Sequence, residues 1–199
     1  MKNGSQTKNL AFHATVSGCV DGRTTRARNV AKIDEATDKL AARLGIIKEG
    51  EECMYDMIRI PGPSPLLADD PMSLVRNDME GDSFVEWVFK LVDAHKGELH
   101  ILAGHRGGCA MEDGCDRDEL VSYEHLYSAC ASLQKFLTRA FEEEVIPCHV
   151  TVAAQMWHIQ GMCISHVEAF TMNDLAIELE RLRGDCRVMK RPLTSQVSA

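Results

Sequence analysis

The chain has 199 residues, a formal net charge of -8, 45% hydrophobic and 26% charged residues. This is the mix of a soluble domain large enough to bury a core without disulfide or metal staples. The acidic balance speaks against nucleic acid or an anionic membrane as a partner, and no apolar run approaches the roughly 18 residues of a membrane span.

Residues 1–9 are polar and read as a flexible N-terminal segment. A single α/β domain is expected over 10–183 and a polar C-terminal tail over 184–199. Leu10 to Val16 alternates as a first strand that ends at Ser17 and Gly18. From Thr25 to Leu44, the residues Val30, Ile33, Ala36, Leu40 and Leu44 fall at helical spacing on one apolar face. Tyr55 to Ile60 reads as a second strand, and the prolines at 61, 63 and 65 forbid both helix and ladder beyond it. Asp82 and Ser83 offer caps for a helix that carries Phe84, Val85, Val88, Phe89, Leu91 and Val92. Glu98 to Ala103 is a short apolar strand. Leu120 to Phe141 is a long amphipathic helix. Cys148 to Trp157 and Cys163 to Phe170 read as a hairpin turning at Gln160 and Gly161. Thr171 to Asp174 caps a last helix that runs to Leu182. Strands alternating with helices predict an α/β fold: a mainly parallel sheet with helices on both faces and an antiparallel edge strand.

No charged stretch followed by an apolar one opens the sequence, so a cytoplasmic location is expected. The eight cysteines are then expected to be buried packing residues or thiolate ligands, not a disulfide framework.

Ligand sites of open α/β sheets form just beyond the carboxyl ends of strands. Two such ends carry chemistry here. The first holds Cys19, Asp21 and Arg23; the second holds His105 and Cys109 among glycines that let the backbone turn sharply. Cys19, His105 and Cys109 together are a Cys2His donor set, which suits Zn2+ and leaves a fourth position open. Cys115 is the rival for the third place. Arg23 can hold the Asp21 carboxylate bidentately and keep it ionised. His95 and His100 read as surface residues flanking the third strand. Arg59 reads as a surface ion-pair residue, and the rigid segment Pro61 to Pro65 as an ordinary loop or a wall of the pocket. His125, His149, His158 and His166 show no partner pattern.

The segment Cys19-Val20-Asp21-Gly22-Arg23 resembles the Cys-x-Asp-x-Arg motif of the β-class carbonic anhydrases. Arg59 to Gly62 is similar to that family's Arg-Asn-Ala-Gly turn, and Gly104-His105 with Cys109 follows in the family order, one residue longer than the usual His-x-x-Cys. The resemblance covers roughly residues 12–170 and marks a divergent member. It implies a β-carbonic-anhydrase-like fold, one zinc per chain held by Cys19, His105 and Cys109, and reversible hydration of carbon dioxide to bicarbonate by a hydroxide on the metal. Asp21 and Arg23 are the catalytic pair it implies, and a homodimer or higher homo-oligomer is the assembly. Hydrolysis of carbonyl sulfide or carbon disulfide, or a non-catalytic zinc-binding scaffold, are the rival functions.

Overall fold

The computed structural model describes residues 12–19, 24, 26–60, 84–107 and 119–189. These form strands β1 (Phe12–Cys19), β2 (Met54–Ile60), β3 (Leu99–Arg106), β4 (Thr151–Gln160) and β5 (Cys163–Phe170), and helices α1 (Ala27–Arg43), α2 (Phe84–His95), α3 (Glu119–Glu142) and α4 (Met172–Met189). One sheet runs in the order β2-β1-β3-β4-β5. The first four strands are parallel and β5 is antiparallel to β4. The expected α/β class, with helices on both faces and an antiparallel edge, is what the chain adopts.

The face each helix covers follows from its apolar stripe. In α1 the buried residues Ile33, Ala36, Thr37, Leu40 and Ala41 repeat at helical spacing. They pack on Ala14, Val16, Leu99, Ile101 and Ala103, which alternate along β1 and β3. Gly45, at φ 75°, ends this helix. Its N–H donates to the Ala42 carbonyl and the Ile46 N–H to Ala41, a pairing that favours glycine at the left-handed position. The other face carries α2, α3 and α4, whose Val88, Leu126, Leu133 and Leu179 close over Leu102, Val152, Ala154 and Met156. Thr171 and Asp174 cap α4 reciprocally. The Asp174 N–H donates to Thr171 Oγ1 at 3.2 Å, and the Thr171 N–H donates to Asp174 Oδ2 at 3.1 Å.

Strand β4 begins at Thr151 and ends at Gln160, displaced from the expected Cys148 to Trp157, and in three further places a ladder or helix persists beyond its apolar run. Strand β1 includes Cys19, since Gly18 and Cys19 still pair with Arg59 and Ile60 of β2. Strand β3 runs through His105 to Arg106, because β4 is long enough to pair with Gly104, His105 and Arg106. Helix α4 passes through Gly184 to Met189, so one glycine does not stop it. The expected caps Asp82 and Ser83 lie outside the described residues.

His100 is the larger correction. It is wholly buried, not at the surface. Its Nε2 lies 3.0 Å from Ser17 Oγ, and its ring meets Phe84 edge-on at 6.1 Å. Burial pushes its pKa down from 6.5 to about 3, so the imidazole is neutral in the fold. The unfolded chain binds a proton there below about 6.5, and the native state resists until about 3. Stability therefore falls as pH drops through that window, by up to about 1.4 kcal/mol per pH unit from this group. Urea unfolding of His100→Gln from pH 7 to pH 4 is expected to show a flatter pH dependence than the parent chain. Equal slopes would show that His100 does not resist protonation.

Candidate metal centre at the carboxyl ends of two strands

The connection leaving β1 goes to β2 on one side, and the connection leaving β3 goes to β4 on the other. Their helices, α1 and α3, lie on opposite faces. The gap between the carboxyl ends of β1 and β3 is therefore the topological switch point of the sheet, where open α/β sheets bind ligands. Cys19 is the last residue of β1 and His105 the last but one of β3. Both are buried, at 3% and 8% exposure.

His105 sits in the ladder opposite Trp157. Neither of its ring nitrogens has a hydrogen-bond partner among the described residues, although both are buried. A neutral imidazole held out of water has one N–H donor and one lone pair to satisfy, and that lone pair can serve a metal ion. Leaving such groups unmatched costs about 1–3 kcal/mol each, so a partner of some kind is called for at this spot.

Around it, the strand ends are tightly built. Arg59 of β2 is half-buried, not a surface ion-pair residue. Its guanidinium donates to the Cys19 carbonyl at 3.1 Å and to the Thr24 hydroxyl, and lies 5.7 Å from the centre of the Trp157 ring. Burial pushes the Arg59 pKa down, opposed by the nearby Tyr55 and Cys19. Thr24 also donates to the Cys19 carbonyl, at 3.4 Å. The Trp157 indole, fully buried, donates through Nε1 to Gln155 Oε1 at 2.9 Å, and Gln155 donates on to Thr37 of α1 at 3.0 Å.

Strand alternation assigns Cys19 to the Ser17 face and His105 to the Trp157 face. The two donors can therefore meet only at the ends of the strands and not over either face. Of the other residues expected at this centre, Asp21, Arg23, Cys109 and the rival Cys115 lie outside the described residues. Cys53 and Cys130 are packing residues: burial raises both thiols, Cys53 to about 11, so neither is a thiolate at neutral pH.

Sequence reasoning missed Thr24 and Trp157 as parts of this end of the sheet, because Arg59, which both of them meet, lies on another strand and far from each in the chain. It also missed a cluster of His158, His166 and Glu168 on β4 and β5, whose donor atoms all lie within 4.8 Å of one another. A groove of about 470 Å³ between α1 and β5 is lined by Lys32, Lys39 and Arg43 among others. Those cations already serve backbone carbonyls, Glu35 and Asp174, so the groove offers little uncommitted charge.

No family model and no curated protein matches this chain. Among solved structures, it is similar to the β-carbonic anhydrase CafA of the fungal pathogen Aspergillus fumigatus, with 11% identity, a TM-score of 0.41 and coverage of 88% of this chain and 83% of that one. A likeness of that degree adds nothing to the reading of the site.

Two glycines hold this end of the sheet closed. A β-carbon on Gly18 would lie 2.3 Å from Trp157 Cη2, and one on Gly107 would lie 2.0 Å from the Ile159 carbonyl oxygen. Gly107 also has φ 97°, which a side chain disfavours. Gly18→Ala is expected to cost about 1–3 kcal/mol by overpacking. Gly107→Ala should cost more, since backbone cannot step aside as a ring can. Denaturant midpoints of the two variants against the parent chain check the order.

Proposed function

We propose that this chain is a zinc-dependent carbonate dehydratase, a divergent relative of the β-class carbonic anhydrases, that interconverts carbon dioxide and bicarbonate. The observation that carries the reading is the His105 ring, buried at the switch point with both nitrogens unsatisfied among the described residues. The motif Cys19-Val20-Asp21-Gly22-Arg23 and the pair Gly104-His105 support it from the sequence.

The donors present fit zinc. A neutral imidazole and a thiolate are its preferred ligands, and Cys109 would supply a third, leaving one position for water. Arg59 is a cation beside Cys19, with its guanidinium 3.1 Å from the Cys19 carbonyl. When bound, zinc acts as a Lewis acid that yields a nucleophile from water near neutral pH.

The chain's own residues do the rest. Trp157 and Ile159 are buried apolar walls near the strand ends, suited to a small uncharged substrate such as carbon dioxide. Arg59 and Thr24 fix the Cys19 carbonyl at the end of β1. In this reading Asp21 accepts the hydrogen of the attacking group and orients its lone pair toward carbon. Arg23 holds that carboxylate ionised and aligned. A homodimer is the assembly proposed, since β2 and β5 are sheet edges with no strand beyond them among the described residues.

Purified, fully reduced protein is expected to hold about one zinc per chain, and stopped-flow measurement to show carbon dioxide hydration. His105→Ala should lose the metal. Asp21→Asn should keep it and lose most turnover. Zinc uptake with no hydration at any pH, but with hydrolysis of carbonyl sulfide, would move the substrate. No zinc uptake at all would end the reading.

A further inference from the structure

We propose that His158, His166 and Glu168 form a second site, for a divalent transition ion of the zinc class, on the face of the sheet opposite His105. The site is made by a single extra residue. From the turn, Gln160 pairs with Cys163 and Ile159 with Ile164, but His158 then pairs with His166, which leaves Ser165 as a bulge in β5. Without it His166 would fall opposite Trp157, on the α1 face, because a shift of one residue sends every later side chain to the other side. The bulge switches the alternation: Ile164 belongs to the α1 side of the core, whereas Phe170 packs on the α3 side with Tyr123. His166 and Glu168 thereby arrive beside His158.

The bulge is fixed by other elements and not left to the hairpin. Lys32 of α1 donates to the carbonyls of Ile164 and Ser165, both at 2.7 Å. Asn29 accepts from the Ile164 N–H at 3.0 Å, and Ser165 Oγ donates to the His158 carbonyl at 2.9 Å. Bulges that re-aim side chains in this way are concentrated at functional sites.

Three donors converge. His158 Nε2 lies 3.2 Å from Glu168 Oε2, and His166 Nε2 lies 3.7 Å from Oε1. The two rings are stacked, 3.9 Å apart and 10° from parallel. Donors of a tetrahedral zinc site sit about 3.3 Å from one another, so a small opening of the stack brings both lone pairs onto one ion. Outer partners hold the donors as metal sites require. The Tyr123 hydroxyl, on a buried ring, donates to Glu168, and Ser165 Oγ lies 3.3 Å from His166 Nδ1, leaving Nε2 for the ion. The nearest cation, Arg106, is paired with Glu119 at 2.6 Å. Two imidazoles and one carboxylate are a set with open positions, suited to Zn2+, Co2+ or Ni2+ and not to Mg2+ or Ca2+. The His166 side chain is 56% exposed, so the ion enters from solvent.

Co2+ titration of the full chain separates this site from the one at Cys19, because a cobalt bound by imidazole and carboxylate lacks the sulfur-to-metal charge-transfer band of a thiolate site. In Cys19→Ser, one equivalent of Co2+ is expected to remain, without that band, and to be lost in Cys19→Ser combined with His166→Ala or Glu168→Gln. Tyr123→Phe should weaken binding about tenfold or more. In the unmutated chain, whatever the folding of the Cys19 variant, Zn2+ should protect His166 from diethylpyrocarbonate as mapped by mass spectrometry. Unprotected His166 at saturating Zn2+, or Co2+ uptake in Cys19→Ser that is indifferent to His166→Ala, would overturn the proposal.

Discussion

The indole of Trp157 reaches from β4 across the sheet until its far edge fills the place that a β-carbon on Gly18 of β1 would take. A buried tryptophan removes some 150–250 Å² from water, and here that mass underlies the carboxyl ends of three neighbouring strands. Arg59 stacks beyond it, His105 stands opposite it in the ladder, and its Nε1 is tied through Gln155 to Thr37 of α1. The position of Gly18 on this face follows from the ring's need for space. So does the route of the Arg59 guanidinium to the Cys19 carbonyl. Beside the indole, both nitrogens of the His105 ring are buried and unmatched among the described residues.

Much of this was legible in the sequence. The helical stripe of Ile33, Ala36 and Leu40 located α1, and β5 begins and ends where its turn residues and apolar pattern place it. The hairpin was readable from Gly161, although Gln160 still pairs with Cys163 and the turn itself falls on Gly161 and Met162. Readings failed where the information lies across the sheet. His100 was placed at the surface because a polar residue beside an apolar run usually is. In a sheet covered on both faces there is no solvent side, and Ser17 of another strand supplies the needed partner. Arg59 looked like a surface cation because nothing nearby in sequence shows the Trp157 ring beneath it. His158 and His166 looked unrelated because an unbulged hairpin puts them on opposite faces. One residue of register, fixed by Lys32 and Asn29 from a distant helix, decides otherwise.

The two clusters share a logic. Each stands at the end of the sheet where parallel strands stop, and each gains its donors from residues that a small side chain or a bulge has moved into place. They differ in the donors proposed for them: Cys19 and His105 at the switch point, two histidines and a carboxylate on the β4–β5 hairpin. The first, buried and walled by apolar residues, suits turnover of a small neutral molecule. The second, half-open to solvent, suits an ion that comes and goes.

The account stands on an ion joining His105 to Cys19. Anomalous diffraction at the zinc edge, from crystals of the protein purified without chelator, tests it most directly. The account predicts a peak about 2.0–2.3 Å from a His105 ring nitrogen and from Cys19 Sγ. A His105 ring hydrogen-bonded to protein or water, with no anomalous peak within reach of it, would contradict the account.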